Sequence, residues 1–249
     1  MKKIFAMLAV AASLLAVSCG KDDNKGGSTK TGGDVDTSLP ASLQGSSYFP
    51  LLIDEESAEA IKDKIACDLR IDDVTKHLYI WAAGETYSAG EAPGTNFYGK
   101  TGYTHLICAA TGKEGGWSGA GFNIGAGTAD VDKFAEIAAN PDKYYFHMGY
   151  KGKAGEAHLI HVYGLDGTDY AFAVGEGSVN IDGVAHSAIA PTDGAFEAGE
   201  WVEYEFSIQQ MGLNYGGTFP AGGFNFVTFL SGNNPGAEIA LDAIFIYKK

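Results

Sequence analysis

The sequence is short of basic residues, of charged residues in general and of long apolar runs, and each shortage argues against a class of protein. It has 17 Lys and Arg against 31 Asp and Glu, and the resulting net charge of −14 repels phosphate backbones, which argues against a nucleic-acid partner. After residue 20 no stretch approaches the ~18 consecutive apolar residues of a membrane-spanning helix. Charged residues make up only 19% and hydrophobic ones 45%, a composition too apolar for a disordered chain.

Glycine and aromatic residues are plentiful instead. The 249 residues include 35 glycines, 14 Phe, 13 Tyr and 3 Trp. Tight turns use glycine and strands favour aromatic side chains, so this composition favours an all-β domain over a helical bundle.

The N-terminus has the composition of a secretion signal. Lys2 and Lys3 precede an apolar run at positions 4–17, and together they predict a signal peptide over residues 1–18. Residues 15–19, Leu-Ala-Val-Ser-Cys, resemble the lipobox of bacterial lipoproteins such as those of the Bacteroidetes. The resemblance implies that Cys19 becomes the lipidated first residue of the mature protein, whose acyl chains would hold it on a membrane surface. Ordinary secretion with cleavage nearby is the alternative.

The segment beyond Cys19 is predicted to be a tether. Lys21, Asp22 and Asp23 resemble the surface-export signal of the same bacteria, which implies a lipid-anchored protein on the outer membrane, exposed at the cell surface. Residues 19–46 are rich in Gly, Ser, Thr, Asp and Lys and poor in apolar side chains, a composition typical of a flexible linker. A single globular domain is then expected over residues 47–249.

In most of this domain the side chains alternate with the two-residue period of β-strands. Leu78 and Ile80 alternate with Tyr79 and Trp81, for example, which is the two-residue period of a half-buried strand. Many such segments without a βαβ rhythm predict two packed antiparallel sheets. The predicted strands cover residues 48–53, 68–72, 78–81, 105–108, 117–124, 144–151, 157–163, 169–174, 201–208, 224–230 and 239–247.

Two segments have helical spacing instead. Residues 54–65 carry apolar side chains on one helical face behind Asp54, and residues 130–140 do so behind Asp130. Each of these two Asp residues stands where an N-cap would. The predicted fold class is therefore all-β, an antiparallel β-sandwich with one or two short helices, preceded by the lipoprotein signal peptide and the linker.

Three segments together resemble a known family, the jelly-roll carbohydrate-binding modules. Residues 200–208 (Glu-Trp-Val-Glu-Tyr-Glu-Phe-Ser-Ile) resemble their penultimate region, and residues 241–247 (Leu-Asp-Ala-Ile-Phe-Ile-Tyr) resemble their closing strand. Residues 145–151 (Tyr-Phe-His-Met-Gly-Tyr-Lys) are similar to an aromatic-rich middle strand. The resemblance implies a galactose-binding-like jelly roll that binds glycan and is not an enzyme. Residues 84–102 match no named module family, so no particular glycan is implied.

A sugar site needs aromatic planes for the apolar face of the ring and polar groups for its hydroxyls. Residues 81–103 mix both kinds of side chain among glycines, and Trp117 follows two glycines that leave it without bulky neighbours. His147 and Lys151 lie on the strand face opposite a clearly apolar one. Ordinary core, turn or solvent-facing packing is the alternative for each side chain. The residues predicted to bind ligand are Trp81, Glu85, Tyr87, Asn96, Tyr98, Trp117, His147 and Lys151.

The resemblance also implies a structural Ca²⁺. In the resembled modules the Asp at the start of the closing strand, here Asp242, often helps to hold this ion with oxygens from near the first strands. Asp54, Glu55 and Glu56 could supply those oxygens, because calcium prefers hard oxygen ligands. A lone Asp that accepts from a turn amide is the alternative. No other cofactor is expected.

The predicted function is capture of an oligo- or polysaccharide at the cell surface, without cleavage, beside neighbouring glycan-uptake proteins. A sandwich-fold glycoside hydrolase or lyase is one alternative, because Glu203 and Glu205 share one strand face roughly 7 Å apart. The Glu-x-Asp-x-x-Glu motif of jelly-roll glycanases is absent. A protein-interaction subunit of a surface complex is the other alternative, with Trp81 and Trp117 in a flat apolar patch.

Two further residue pairs bear on metal and redox chemistry. His158 and His161 are three apart, so on a strand they face opposite ways and cannot share one zinc ion. Cys67 and Cys108 both fall on apolar strand phases, so they form either a disulfide or two separately buried thiols.

Overall fold

The strands that the structure describes pair into two antiparallel sheets and one separate hairpin. The computed structural model describes residues 38–80, 87–108 and 114–249, with the side chains of residues 87–90 and 114 outside that description. The strands are β1 (Ser46–Leu52), β2 (Lys76–Ile80), β3 (Tyr87–Thr95), β4 (Thr101–Cys108), β5 (Gly119–Ile124), β6 (Tyr144–Gly152), β7 (Ala157–Tyr163), β8 (Asp169–Gly175), β9 (Ser178–Ile181), β10 (Val184–Ser187), β11 (Val202–Ser207), β12 (Phe224–Leu230) and β13 (Glu238–Lys248).

The chain winds between the two sheets as a jelly roll does. One sheet has six strands in the order β11-β6-β13-β4-β3, with β1 also paired to β13, and the other has five in the order β2-β5-β12-β7-β8. Successive strands from β4 to β7, and again from β11 to β13, alternate between the sheets. The predicted all-β, antiparallel jelly-roll sandwich is confirmed.

Several predicted strands have the observed bounds, and a few predictions are wrong. Residues 157–163 and 224–230 are β7 and β12 as predicted. The segment 68–72 is not a strand, because the Asp72 carboxylate accepts from the N–H groups of Val74, Thr75 and Lys76 and so closes a turn. Strand β3 has too many Gly, Ser and Ala residues to show apolar alternation, and β9 and β10 are only four residues long each.

The main core lies between the two sheets. The six-stranded sheet contributes the buried Phe146, Tyr204 and Leu241, and the five-stranded sheet contributes Phe122 and Ile160. Because side chains alternate along a strand, each sheet has one face toward this core and one outer face.

A second hydrophobic cluster covers part of the outer face of the six-stranded sheet. The Tyr48 ring stacks on Tyr247 at 5.5 Å and meets Phe245 edge-on at 5.6 Å. A 3₁₀ turn, Ala41–Leu43, lies on this cluster, so the packed body extends to the N-terminal side of residue 47. The buried members of the second cluster are Leu43, Tyr48, Ile61, Ala243, Phe245 and Tyr247.

The hairpin β9–β10 covers one end of the outer face of the five-stranded sheet. It does so through a third hydrophobic cluster that joins the hairpin to β7, β8 and β12. The rest of that outer face carries mostly polar side chains, as described below. The buried members of the third cluster are Ala157, Leu159, Ala173, Val179, Ile181 and Leu230.

Three short helices complete the described fold. They are α1 (Glu55–Ala60), α2 (Phe134–Ala139) and α3 (Ile208–Met211). Asp54 caps α1 as predicted, since its side chain accepts from the N–H of Ser57 at 2.9 Å. Asp130 has a left-handed φ of 57° and caps nothing, so that prediction is wrong, although a helix does follow. In the part of the chain that the structure describes, no helix is long and apolar enough to cross a membrane.

The structure shows how the histidine pair and the cysteine pair are placed. His158 faces the core, where its Nδ1 lies 3.1 Å from the Tyr150 hydroxyl, and His161 faces outward, which confirms their opposite orientation. Cys67 and Cys108 are buried free thiols. Burial raises the pKa of Cys67 to about 12, which suppresses thiolate chemistry.

Candidate functional site

The predicted ligand-binding residues do not form one groove among the residues that the structure describes. Trp81 and Glu85 lie outside the described residues, as does the predicted lipidation site Cys19. Tyr87 is described only through its backbone, which pairs with Cys108 between β3 and β4.

Asn96 and His147 are buried, which corrects the expectation that they contact a ligand. Asn96 is 1% exposed, and its Oδ1 accepts from the N–H groups of Tyr98 and Lys100, which closes the turn between β3 and β4. His147 is 0% exposed; its Nδ1 donates to the Ala243 carbonyl at 2.7 Å, and its ring stacks on Phe245 at 4.6 Å. The strand face that carries His147 is therefore covered at that point.

Tyr98 and Lys151 are held by neighbours on the same outer face. The Tyr98 hydroxyl lies 2.8 Å from Ser42 Oγ, and burial raises its pKa. The Lys151 ammonium lies 4.4 Å from the centre of the Tyr103 ring and 4.8 Å from the Trp201 ring. Tyr98 thus packs against the second cluster, whereas Lys151 lies between two aromatic rings.

Trp117 is the one predicted ring that the structure shows to be well exposed. It is 45% exposed and follows a 3₁₀ turn, Glu114–Gly116, whose two glycines have φ of 73° and 85°. A Cβ on Gly115 would meet both Asp182 Oδ1 and the Trp117 indole. Trp117 therefore lies beside the β9–β10 hairpin, apart from Tyr98, His147 and Lys151.

The two carboxylates of the hydrolase alternative share a face of β11, as predicted, but both have internal partners. Glu203 Oε1 lies 2.7 Å from His147 Nε2, and the hydrogen bond from His147 lowers the pKa of Glu203. Glu205 is 7% exposed at its side chain, accepts from the Tyr247 hydroxyl at 2.5 Å and pairs with Lys249. These contacts make both carboxylates part of the packing of the sheet face.

The predicted calcium ligands Asp242 and Asp54 line the same cleft. This cleft has a volume of about 600 Å³ and is also lined by Glu55, Glu56 and Glu91. Asp242 is 2% exposed and accepts from the Phe97 N–H at 3.2 Å. Burial, helped by the nearby charge of Asp54, raises the pKa of Asp242 to about 7.

The fit of these residues to calcium is partial. Their oxygens are of the type that calcium prefers, and Asp54 Oδ2 is buried without a hydrogen-bond partner. Within the described ranges, however, no group of three or more His, Cys, Asp or Glu side chains is placed to hold a metal ion. The calcium ion stays a prediction.

An open polar surface lies on the other side of the molecule, on the outer face of the five-stranded sheet. Two rows of paired residues run across neighbouring strands. The first row consists of Tyr79, Gly121, Thr228 and His161, and the second consists of His77, Asn123 and Asn225. We call this surface the Tyr79 face; its members are His77, Tyr79, Asn123, His161, Tyr163, Asp169, Asn225 and Thr228.

Gly121 gives the Tyr79 face its shape. A Cβ at this position would come 2.8 Å from the Tyr79 hydroxyl and 2.9 Å from Thr228 Cγ2, so the Tyr79 ring lies over a bare backbone. An open basin of about 420 Å³ lies beside it, lined by His77, Tyr79, Asn123 and Asn225. Only a glycine permits this approach of ring to sheet.

The polar groups of the Tyr79 face are fixed by one another. Asn123 Nδ2 donates to Asn225 Oδ1 at 3.2 Å, and His161 Nδ1 lies 3.1 Å from Asp169 Oδ2. The His161 and Tyr163 rings are nearly parallel, with centres 5.9 Å apart. Because strands carry these side chains and hydrogen bonds hold them, they form a rigid surface.

The chemistry of this face suits neutral, hydroxyl-rich ligands. Aromatic planes, amides, imidazoles and one carboxylate stand side by side, and burial raises the pKa of Tyr79 to about 12 and keeps its hydroxyl protonated. The sequence alone did not indicate that these residues form a site. The available signal was a polar or aromatic residue at several outward positions of strands that are far apart in sequence, such as His77, Asn123 and His161, and reading it requires the sheet order.

No protein-family model matches the chain, and the search of curated proteins gives no match. The folds of several solved structures are remotely similar. The family 11 carbohydrate-binding module of a cellulosomal cellulase of Clostridium thermocellum is 12% identical, with a TM-score of 0.35 over 71% of this chain and 89% of that one. A family 30 carbohydrate-binding module from the same organism is 12% identical, with a TM-score of 0.36 over 68% of this chain and 86% of that one.

A third similar structure is a carbohydrate-binding module in complex with beta-1,4-galactotriose. It is 9% identical to this chain, with a TM-score of 0.35, and the alignment covers 70% of this chain and 88% of that one.

Proposed function

We propose that this protein binds a glycan without cleaving it, and that the Tyr79 face is the binding surface. The observation that carries the proposal is the assembly of aromatic rings and fixed polar groups on one open face of a sheet. Tyr79, His161 and Tyr163 supply the rings, and Asn123 and Asn225 supply amides beside them.

The physics of sugar recognition supports this surface. A pyranose ring has an apolar C–H face that packs on aromatic planes, and its hydroxyls need donors and acceptors at the rim. Side chains that already hold one another in place lose little conformational entropy when a ligand binds. A shallow, open face also suits the interior of a sugar chain, because none of the residues that the structure describes closes over either end of the basin.

A binding role without catalysis is supported by where the carboxylates lie. Glycoside hydrolysis requires two carboxyl groups on either side of the scissile bond. Among the described side chains of the Tyr79 face, Asp169 is the single carboxylate, and His161 holds it. Glu203 and Glu205 belong to the other sheet and have internal partners.

The test is affinity electrophoresis of the protein through gels that contain a panel of polysaccharides, followed by calorimetry with oligosaccharides of any polysaccharide that retards it. Tyr79→Ala and Asn225→Ala should each weaken binding by about tenfold or more, which corresponds to roughly 1.4 kcal/mol. Tyr145→Ala is the matched control, because it removes a half-buried tyrosine from the opposite sheet.

Two results would overturn the proposal. One is that no polysaccharide retards the folded protein; the other is that both Tyr79 face variants bind as tightly as the wild type. Release of reducing ends from a bound polysaccharide would overturn the non-catalytic part alone.

The cell-surface setting is part of the proposal and is supported by the sequence. Lipidation at Cys19 and a tether to about residue 46 would place the Tyr79 face above the outer membrane, where capture raises the local glycan concentration for neighbouring uptake proteins. Labelling with a radioactive fatty acid should be lost in Cys19→Ser, and protease added to intact cells should remove the wild-type protein. A label retained in Cys19→Ser would refute the anchor.

A further inference from the structure

The Lys151 ammonium lies in a setting that glycan binding at the Tyr79 face does not use. Lys151 is on β6, and Ala240 of β13 and His105 of β4 are its partners in register across the six-stranded sheet. The small Ala240 side chain leaves a pocket of about 260 Å³ between them, lined also by Lys153 and Glu238. We call this the Lys151 pocket.

The carboxylates next to the Lys151 pocket are bound to groups other than Lys151. The protein has a net charge of −14, yet no described carboxylate forms an ion pair with Lys151. Glu238 is shared by Lys153 and by His105, whose Nε2 lies 3.3 Å from it. Glu156 lies beside them, accepts from the Glu238 N–H at 2.9 Å and acts on Lys153. The nearby carboxylates thus serve other groups, and the Lys151 ammonium keeps its charge without a carboxylate partner among the described residues.

The aromatic rings that hold Lys151 are themselves held. Trp201 Nε1 donates to the Thr95 carbonyl at 2.8 Å, and the Trp201 and Tyr103 rings meet edge-to-face at 5.3 Å. Ring faces attract the ammonium without neutralising it, so its charge remains available to an anion. A half-buried ammonium beside aromatic rings suits a ligand that combines a carboxylate with an apolar ring face.

We propose that the Lys151 pocket is a second ligand site, which takes the carboxylate of a uronic acid unit in an acidic glycan. The Lys151 ammonium would bind the carboxylate, while the Tyr103 and Trp201 rings would lie beside the sugar ring. This site is on the six-stranded sheet, opposite the Tyr79 face, and does not depend on binding there.

The experiment is calorimetric titration of the intact protein with trigalacturonate, with neutral galactotriose as the comparison ligand. Trigalacturonate should bind, and its affinity should fall about fivefold or more between about 20 mM and 150 mM salt, because the contact is ionic. Lys151→Met should weaken binding by about tenfold, and Lys151→Arg should retain it. Lys143→Met is the control, because it removes the same charge from an exposed position elsewhere.

The Tyr79→Ala variant separates the two proposals. It should bind trigalacturonate at the Lys151 pocket as the wild type does, so failure at one surface leaves the other standing. If Lys151→Met does not fold, the second readout is tryptophan fluorescence, whose response to trigalacturonate should disappear in Trp201→Phe. Equal binding of galactotriose or of acetate by the Tyr79→Ala variant, or unchanged trigalacturonate binding by folded Lys151→Met, would overturn the proposal.

Discussion

The outer faces of the two sheets differ in what covers their aromatic side chains. On the six-stranded sheet, Tyr48, Phe245 and Tyr247 stack on one another beneath the N-terminal turn and are buried. On the five-stranded sheet, Tyr79 and Tyr163 also point away from the core, but their neighbours are amides, imidazoles and a carboxylate on an open surface.

This contrast teaches that an outward strand position is not the same as an exposed one. His147 and Tyr79 stand at equivalent outward phases, yet only Tyr79 borders an open basin. The covered rings stabilise the fold, whereas the rings beside polar groups belong to the surface that we propose binds a ligand. The following predictions test that difference, from the largest expected effect to the smallest.

Phe245→Ala should destabilise the protein by about 3–5 kcal/mol, because a fully buried ring is replaced by a cavity in the second cluster. Urea unfolding followed by circular dichroism measures this free energy. Val184→Ala, at a position that is 57% exposed, should change it by less than about 0.5 kcal/mol. A loss below about 1 kcal/mol in Phe245→Ala would mean that the cover on the six-stranded sheet is loose.

His158, which lies on the core-facing side of β7, should make the free energy of unfolding depend on pH. Burial lowers the pKa of His158 to about 4, below the ~6.5 expected when the chain is unfolded. The unfolded state then takes up the proton first, so stability is lost as the pH falls from about 6.5 to about 4, by on the order of 3 kcal/mol.

The matched pair for this pH effect lies on one strand. In His158→Gln the difference in unfolding free energy between about pH 7 and pH 4.5 should shrink, and in His161→Gln, which changes the outward side, it should persist. Equal pH dependence in His158→Gln and in the wild type would contradict the assignment.

Calcium should raise the melting temperature if Asp242 and Asp54 hold it across the cleft on the six-stranded sheet. At a calcium concentration about 100 times the dissociation constant the gain is ~2.7 kcal/mol, or roughly 5–10 °C for a domain of this size. Asp242→Asn should remove the shift, and Asp63→Asn, at an exposed carboxylate, should retain it. No shift in protein stripped with chelator would refute the calcium prediction.

Gly121→Ala should weaken glycan binding at the Tyr79 face by about tenfold, or ~1.4 kcal/mol. The added Cβ would displace the Tyr79 ring, whose hydroxyl would otherwise lie 2.8 Å away. Gly222→Ala is the control, because an added Cβ there meets no heavy atom within 4 Å. Calorimetry with the bound oligosaccharide measures both, and equal affinity in the two variants would mean that Tyr79 is not part of the site.

The architecture was largely predictable from local patterns. Alternation located β7 and β12 to the residue, since each strand carries an inward apolar residue next to an outward polar one: Ile160 beside His161 in β7, and Phe229 beside Thr228 in β12. The strand β3 was missed because its sequence, Tyr-Ser-Ala-Gly-Glu-Ala-Pro-Gly-Thr, has little apolar surface, and pairing with β4 rather than propensity makes it a strand.

The site was less predictable because it depends on the order of strands in the sheet. Tyr79, Asn123 and His161 are distant in sequence, and only the order β2-β5-β12-β7 places them on one surface. His147 fitted the expected chemistry, but the rings that pack on it, Phe97, Tyr98 and Phe245, come from the β3–β4 turn and from β13. No local pattern reports that long-range contact.

The rows of side chains on the Tyr79 face run across the strands, so the width of the sheet limits the length of saccharide that the face can contact. The five-stranded sheet has four inter-strand spacings of ~4.8 Å, so the face spans roughly 19 Å from β2 to β8. A saccharide laid along that direction gains contacts with each added unit until it reaches both rims. Units beyond that length would lie past the edges of the sheet and gain no further contacts with it. The affinity should therefore level off as the degree of polymerisation rises.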